Sequence, residues 1–412
     1  MRLLANILPP PARTARCNLR QQARRYLSLS TAMAPRKDSI PHETRTAAEP
    51  RQNKLYPVRL VHVEQANPTI RLLRLALPAE SSSDDEATDS QPQEPFSFLP
   101  GQWLDVHVPG IQQAGGFTIT STPADAQQLP TPDPTVVQDG TDQLADQHGE
   151  IGVPTMVSRG RYPYVELAVQ NSPSNPPAAW LWRPKGEILG REVNVRVGGS
   201  FVWPPAASVI RERDIREVLF VAGGVGINPL ISILSHITEP HETTTAPSIP
   251  PLHDQPRHEP LSIHFLYTTR VPQATTMSSK DITYESLDEI LFLSRLRQIV
   301  QRVSSHKTKQ PSSNLKLNLD LYLTNVPASA AAEAEGFLRG PSKLNSNNTS
   351  YNNDHIRVRN RRINKQDLYE AASRQPDRTV SYVCGPPPMT DEFVGYLNTL
   401  LDSQRVLCEK WW

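Results

Sequence analysis

Two glycine-bearing stretches carry the chemistry that can be read from this sequence: "VLFVAGGVGINPLISIL", Val218 to Leu234, and "CGPPPM", Cys384 to Met389. In the first, a continuous apolar run enters Gly223, Gly224, Val225 and Gly226, and Ile227, Asn228 and Pro229 then lead into a helical pattern. Glycines let a backbone pass close to a pyrophosphate. Asn228 is expected to cap the helix with Pro229 in its first turn. The helix start then offers free N–H groups and a positive dipole end to phosphates. A lone glycine loop is a weak signal, whereas a strand, a loop and a cap in this order are a specific one. In the second stretch, Gly385 lets the chain turn, and Pro386 with the prolines after it stops the strand. No acid–base dyad and no nucleophilic triad is visible, so hydrolase chemistry has nothing to rest on. No zinc-ligand spacing is present either, and the expected metal content is none.

Both stretches need a parallel sheet to hold them, and the pattern from about residue 215 supplies one. "EVLFVAGG", "LSIHFLYTTR", "LKLNLDLYLTN", "TVSYVCGPPP" and "RVLCEKWW" alternate with helical segments. Five strands with intervening helices predict a doubly wound parallel α/β domain over 213–412. "CGPPPM" then sits at the carboxyl end of the fourth strand, beside the crevice where such sheets bind ligands. Thr268, Thr269 and Arg270 end the second strand. From about 55 to 203 the segments are short and β-rich between Pro/Gly turns, which predicts an antiparallel barrel or sandwich, here bounded at 55–207. Stretches near 79–95, 124–160, 240–260 and 328–355 are polar and aperiodic, and are expected to be disordered inserts. The chain has 40 prolines against 19 glycines and only 37% apolar residues, as a core diluted by such inserts requires.

Residues 1–37 hold eight Arg and Lys residues and no acid, the composition of a mitochondrial transit peptide. A mitochondrial, matrix location is the expectation. Cleavage near residue 34 would remove six arginines and bring the net charge from +1 to about −5. No basic field remains for nucleic acid, and no apolar run is long enough for a membrane-spanning helix. Cys384 and Cys408 alone lie beyond the presumed presequence, too few for a disulfide framework or an iron–sulfur cluster.

"AGGVGINPL" followed by "CGPPPM" resembles the ferredoxin–NADP reductase superfamily. The likeness covers roughly 55–412 outside the inserts, and it also takes in "FLPGQWLDV", "VRVGGSFVWPP" and "RRIN". It implies a flavin-binding FAD-type barrel followed by a nicotinamide-binding domain. It also implies hydride transfer from NAD(P)H to FAD and electron transfer to a separate acceptor that no motif identifies. On the same resemblance, Cys384 lies against the reactive nicotinamide carbon and orients the transfer, and Thr268 and Arg270 meet the dinucleotide. Taken on residue type alone, Cys384 is equally a small buried apolar group. No 2′-phosphate cluster is evident, which favours NADH over NADPH.

The flavin motifs depart from the family. Its arginine–x–tyrosine–serine/threonine stretch is "GGFT" here. Gly115 stands at the phosphate-binding arginine, Phe117 at the ring-packing tyrosine and Thr118 at the hydroxyl facing the reactive nitrogen. The glycine–x–x–serine helix start aligns with "NPPAAWL", where Ala178 replaces serine and prolines remove donors. A charge-assisted contact contributes about 1.5–3 kcal/mol, so flavin affinity is expected to fall roughly 10- to 100-fold. The family also brings a C-terminal aromatic over the flavin, a role that falls to Trp411 or Trp412. Two further readings stay open: a nicotinamide-binding protein that has lost flavin and serves as a sensor or assembly partner, and a structural component.

Overall fold

In the computed structural model, the described residues are 41–78, 95–127, 162–206, 210–239, 260–272, 284–309, 315–339 and 355–410. The expected transit peptide and most of the expected inserts lie outside them. The first sheet contains β1 (Tyr56–Asn67), β2 (Ile70–Ala76), β3 (Trp103–His107), β4 (Gly115–Thr118), β5 (Tyr164–Gln170) and β6 (Glu192–Gly198). Their order is β4-β3-β6-β1-β2-β5, every pairing is antiparallel, and an Ile119–Leu167 bridge joins the two edges. The expected barrel is thereby closed. Burial alternates along β1, so one face fills the barrel and the other meets solvent. Two short helices, α2 (Pro176–Leu181) and α3 (Lys185–Ile188), add Ala178, Trp180, Leu181 and Ile188 to the barrel's apolar core.

A four-residue helix, α1 (His42–Arg45), precedes the barrel and packs on β4. Gly116 leaves the space that the His42 ring occupies. His42 Nε2 lies 3.2 Å from Asp105 Oδ1, and Arg51 Nε and Arg196 Nη2 reach Oδ2 at 2.9 and 2.7 Å. Burial alone would raise the Asp105 carboxyl, but the hydrogen bonds from His42, Arg51 and Arg196 hold it well below the carboxylate range.

The second sheet is wholly parallel, with order β10-β9-β8-β7-β11-β12. Its strands are β7 (Glu217–Gly223), β8 (Leu261–Thr269), β9 (Leu315–Leu323), β10 (Ile356–Arg359), β11 (Thr379–Cys384) and β12 (Val406–Glu409). Its helices are α4 (Ile227–Ile237), α5 (Tyr284–Asp288), α6 (Leu293–Lys309), α7 (Ala328–Arg339), α8 (Lys365–Ala372) and α9 (Pro387–Leu397). Every residue of β7 is buried, as a central strand covered on both faces requires. The sheet has six strands where five were expected. The sixth, β10, is four residues long and lies on the edge, too short for its alternation to stand out in the sequence. The 328–355 stretch also differs from expectation. Its first part is α7, which buries Ala330, Ala331, Ala334 and Leu338. Alanines at helical spacing give a weak apolar signal but excellent helix propensity, and that propensity decides here. Among the described residues, no helix is long and apolar enough to cross a membrane.

Barrel and sheet share a hydrogen-bonded interface. Ser232 Oγ donates to the Ser121 carbonyl at 2.7 Å, and Tyr382 Oη donates to the Val202 carbonyl at 2.9 Å. Arg295 of α6 crosses to β5, donating to Glu166 Oε1 at 2.7 Å and to the Thr120 carbonyl at 3.2 Å. Arg74 Nε also reaches Glu166, at 3.4 Å. Burial pushes the Glu166 carboxyl up, but the charges of Arg295 and Arg74 outweigh it and the net shift is downward.

Candidate nucleotide-binding cleft

The carboxyl ends of β7, β8 and β11 open onto a cleft of about 1000 Å³ whose opposite wall is the barrel. Gly223 and Gly385 are where β7 and β11 come into backbone contact. A Cβ on Gly223 would lie 2.7 Å from Pro386 Cδ, and one on Gly385 would lie 3.1 Å from the Gly223 Cα. Gly226 is equally tight, its Cβ position 2.7 Å from the Gly385 nitrogen. Gly224 is the exception. It has φ of +55°, and a Cβ there would meet nothing within 4 Å. Two of the three glycines expected to approach a phosphate, Gly223 and Gly226, thus pack strand end against strand end. Gly224 and the half-exposed Val225 present the turn to the cleft.

The helix start also differs from expectation. A 3-10 turn over Gly224–Gly226 runs directly into α4, with Gly226 at the cap position in helical geometry. No extended residue interrupts the turn, so Ile227 is already helical and Asn228 is its second residue, not the cap. Asn228 Nδ2 instead donates to the Ala168 carbonyl of β5 at 3.1 Å. Pro229 is the third helical residue and contributes no donor. The asparagine therefore ties α4 to the barrel and leaves the turn's open side to a ligand.

The other expected residues divide into two groups. Cys384, Gly385, Pro386, Thr268 and Arg270 all line the cleft, with Cys384 buried at the end of β11 and Arg270 exposed just beyond β8. Cys384 pairs in register with Ala222 on one side and Glu409 on the other. The terminal strand β12 thus ends level with Cys384, and Trp411 and Trp412 lie outside the described residues. Phe117 and Thr118 are both buried in β4, and neither lines the cleft. Phe117 belongs to the barrel's apolar core. "RRIN" also splits. Arg361 donates from both terminal nitrogens to Asp367, at 2.5 and 2.7 Å, and holds the start of α8, while Arg362 faces the cleft. Burial would raise the Asp367 carboxyl, but the Arg361 hydrogen bonds keep it below its ordinary value.

These residues fit a dinucleotide. An open, left-handed glycine at the head of an eleven-residue helix is the form that receives a diphosphate, and Arg270 and Arg362 add cations along the same wall. The positions that resemble the flavin-diphosphate motif do not fit their ligand. A Cβ on Gly115 would lie 2.5 Å from the Phe117 ring and 2.7 Å from Pro177 Cβ, so no side chain fits there. Pro176 and Pro177 have no N–H. The Ala178 N–H donates to Asn175 Oδ1 at 3.3 Å, and the Ala179 N–H to the Asn175 carbonyl at 2.9 Å. Every main-chain donor of the first turn of α2 is absent or used.

Residues 215–398 match the family model described as the ferric reductase NAD binding domain. The zebrafish (Danio rerio) protein named oxidoreductase NAD-binding domain-containing protein 1 is 29% identical over 372 residues, covering 90% of this chain and 97% of that protein. Its human (Homo sapiens) counterpart is 26% identical over 395 residues, covering 94% and 89%. The chain is homologous to these vertebrate proteins over nearly its whole length. A more distant relative, the reductase component of propane 2-monooxygenase from Rhodococcus jostii, is 23% identical over 73% of this chain and 52% of that protein.

Proposed function

We propose that the chain is an NAD(P)H oxidoreductase whose cleft holds the nicotinamide nucleotide against the glycine turn and the end of β11. The observation that carries this reading is the convergence of Gly224, Arg270 and Cys384, from three strand ends, on one cleft walled by the barrel. The nicotinamide, when bound, supplies a hydride. The chain's own residues bind and orient it. The turn and the α4 dipole receive the diphosphate, Thr268 and Arg270 hold the ribose end, and Cys384 with Gly385 and Pro386 forms the flat wall beside the ring. NADH is the preferred donor in this reading. A matrix location follows from the arginine-rich residues 1–37, and a fluorescent fusion of that segment would test it.

The relatives' names support the reading, being those of an oxidoreductase and of a reductase component. A resident flavin is the finer form of it. The retained "FLPGQWLDV" strand favours that form and the closed diphosphate positions speak against it. Titration of the full chain with NADH and NADPH, followed by tryptophan fluorescence, tests the common core. Saturable binding is expected, weakened roughly tenfold in Arg270→Ala, whose charge-assisted contact contributes about 1.5–3 kcal/mol. No binding of either nucleotide at millimolar concentration overturns it.

A further inference from the structure

We infer that the electron acceptor is an exchangeable second substrate, a planar neutral two-electron acceptor of the flavin or quinone type, entering the barrel side of the nicotinamide cleft. The inference rests on the oxidoreductase reading above and names the acceptor that reading leaves open. Its ground is the exhausted diphosphate seat. Gly115 has no room for a cation, the prolines remove two donors of α2, and Asn175 uses the next two. Among the described residues, a flavin dinucleotide anchored between β4 and α2 would find neither a cation at Gly115 nor an unspent N–H in the first turn of α2 for its phosphates.

The cleft itself divides by charge. Its charged residues, Arg270, Arg362 and Glu392, all stand on the parallel-sheet side. The barrel wall is the β1–β2 turn, Pro68, Thr69 and Ile70, with Gln170 at the end of β5, and among the described residues it carries no ionisable side chain. Phosphates therefore belong on the sheet wall, and the barrel wall suits an uncharged ring with carbonyl or ring-nitrogen acceptors within reach of Thr69 and Gln170. In the reaction the C4–H bond of the dihydronicotinamide breaks. Its hydrogen and electron pair pass to the acceptor, the nucleotide leaves oxidised, and one proton from solvent completes the reduced acceptor.

The test uses the full chain purified without added flavin. Flavin content after desalting is expected below a tenth of an equivalent. NADH oxidation is expected to saturate with added riboflavin, or with a short-chain benzoquinone, the two arms separating a flavin from a quinone source. Gln170→Trp, an exposed change on the barrel wall, is expected to raise the acceptor KM at least tenfold while the NADH dissociation constant stays within twofold. FAD retained at one equivalent overturns the inference. So does NADH binding without oxidation by either acceptor, an outcome that leaves the nucleotide site standing. An unchanged acceptor KM in Gln170→Trp also overturns it.

Discussion

Two helix starts in this molecule stand on either side of the same strand, and they have opposite fates. At α4 the side chain that could have capped the helix, Asn228, reaches away to the Ala168 carbonyl of β5, and the glycine turn faces an open cleft. At α2 the capping residue, Asn175, takes the donors that the prolines have spared, the Ala178 N–H on its side chain and the Ala179 N–H on its main-chain carbonyl, and Phe117 and Pro177 close the space around Gly115. Both stretches look alike at low resolution, a small-residue turn with asparagine and proline running into a helix. What separates them is where one amide points. At α4 the Ile227 N–H turns back to the Gly224 and Val225 carbonyls and Pro229 has none, so the open ground for a phosphate is the 3-10 turn over Gly224–Gly226 itself.

The comparison is broken most completely by freeing β5, which both helices hold. Arg295→Ala leaves Glu166 buried without its closest cation, a loss of about 3–5 kcal/mol for such a pair. A large fall in the thermal midpoint is expected, with the barrel's transition moving away from the sheet's. Glu166→Gln, which keeps the hydrogen-bonding shape and removes the charge, should recover part of it. A single unshifted transition in Arg295→Ala would mean that the α4 contacts hold the two domains alone.

The glycines of the turn sharpen the comparison further. Gly226→Ala drives a methyl group into the backbone of the β11 turn and is expected to cost about 3 kcal/mol, with nucleotide binding lost. Gly224→Ala meets no neighbour. It carries only the penalty of a left-handed backbone, about 1–2 kcal/mol, and it places its methyl in the cleft. The fold should survive there while NADH affinity falls, and calorimetry beside fluorescence titration separates the two effects. Equal loss of stability at both positions would count against the division between packing and cleft-facing glycines.

Sequence pattern made the two domains, their order and the cleft's three strand ends legible, because each rests on local periodicity and on glycines at strand ends. "AGGVGINPL" and "CGPPPM" lie where a reader of the sequence would place them. The direction of Asn228 was not legible, since it depends on whether the glycine turn stays helical into α4. Nor was the Arg295–Glu166–Arg74 network. Its members lie 129 and 92 positions apart, and no local spacing announces such a contact. Phe117 shows the same limit. Its aromatic character matches a ring-packing position, and only the closed barrel reveals that the ring points into the core.

Acid provides the finest distinction between the two domains. On the sheet, burial and the nearby charges of Arg374 and Arg357 push His264 down to about 4. The unfolded chain protonates this histidine near pH ~6.5. Between that value and about 4 the unfolded state binds more protons, so stability must fall as pH falls through this window. In the barrel, Asp105 is held below the ordinary carboxylate range. Its contribution is therefore intact above pH ~4 and is lost only as pH drops further. The sheet should begin to weaken at a pH where the His42–Asp105–Arg51 cluster still holds the barrel. Thermal midpoints measured between pH 7 and 3.5 should show an early slope that His264→Asn flattens and that Arg51→Ala leaves in place. If both variants changed the same part of the curve, the two domains would be titrating as one unit, and the barrel would have no separate anchor of its own.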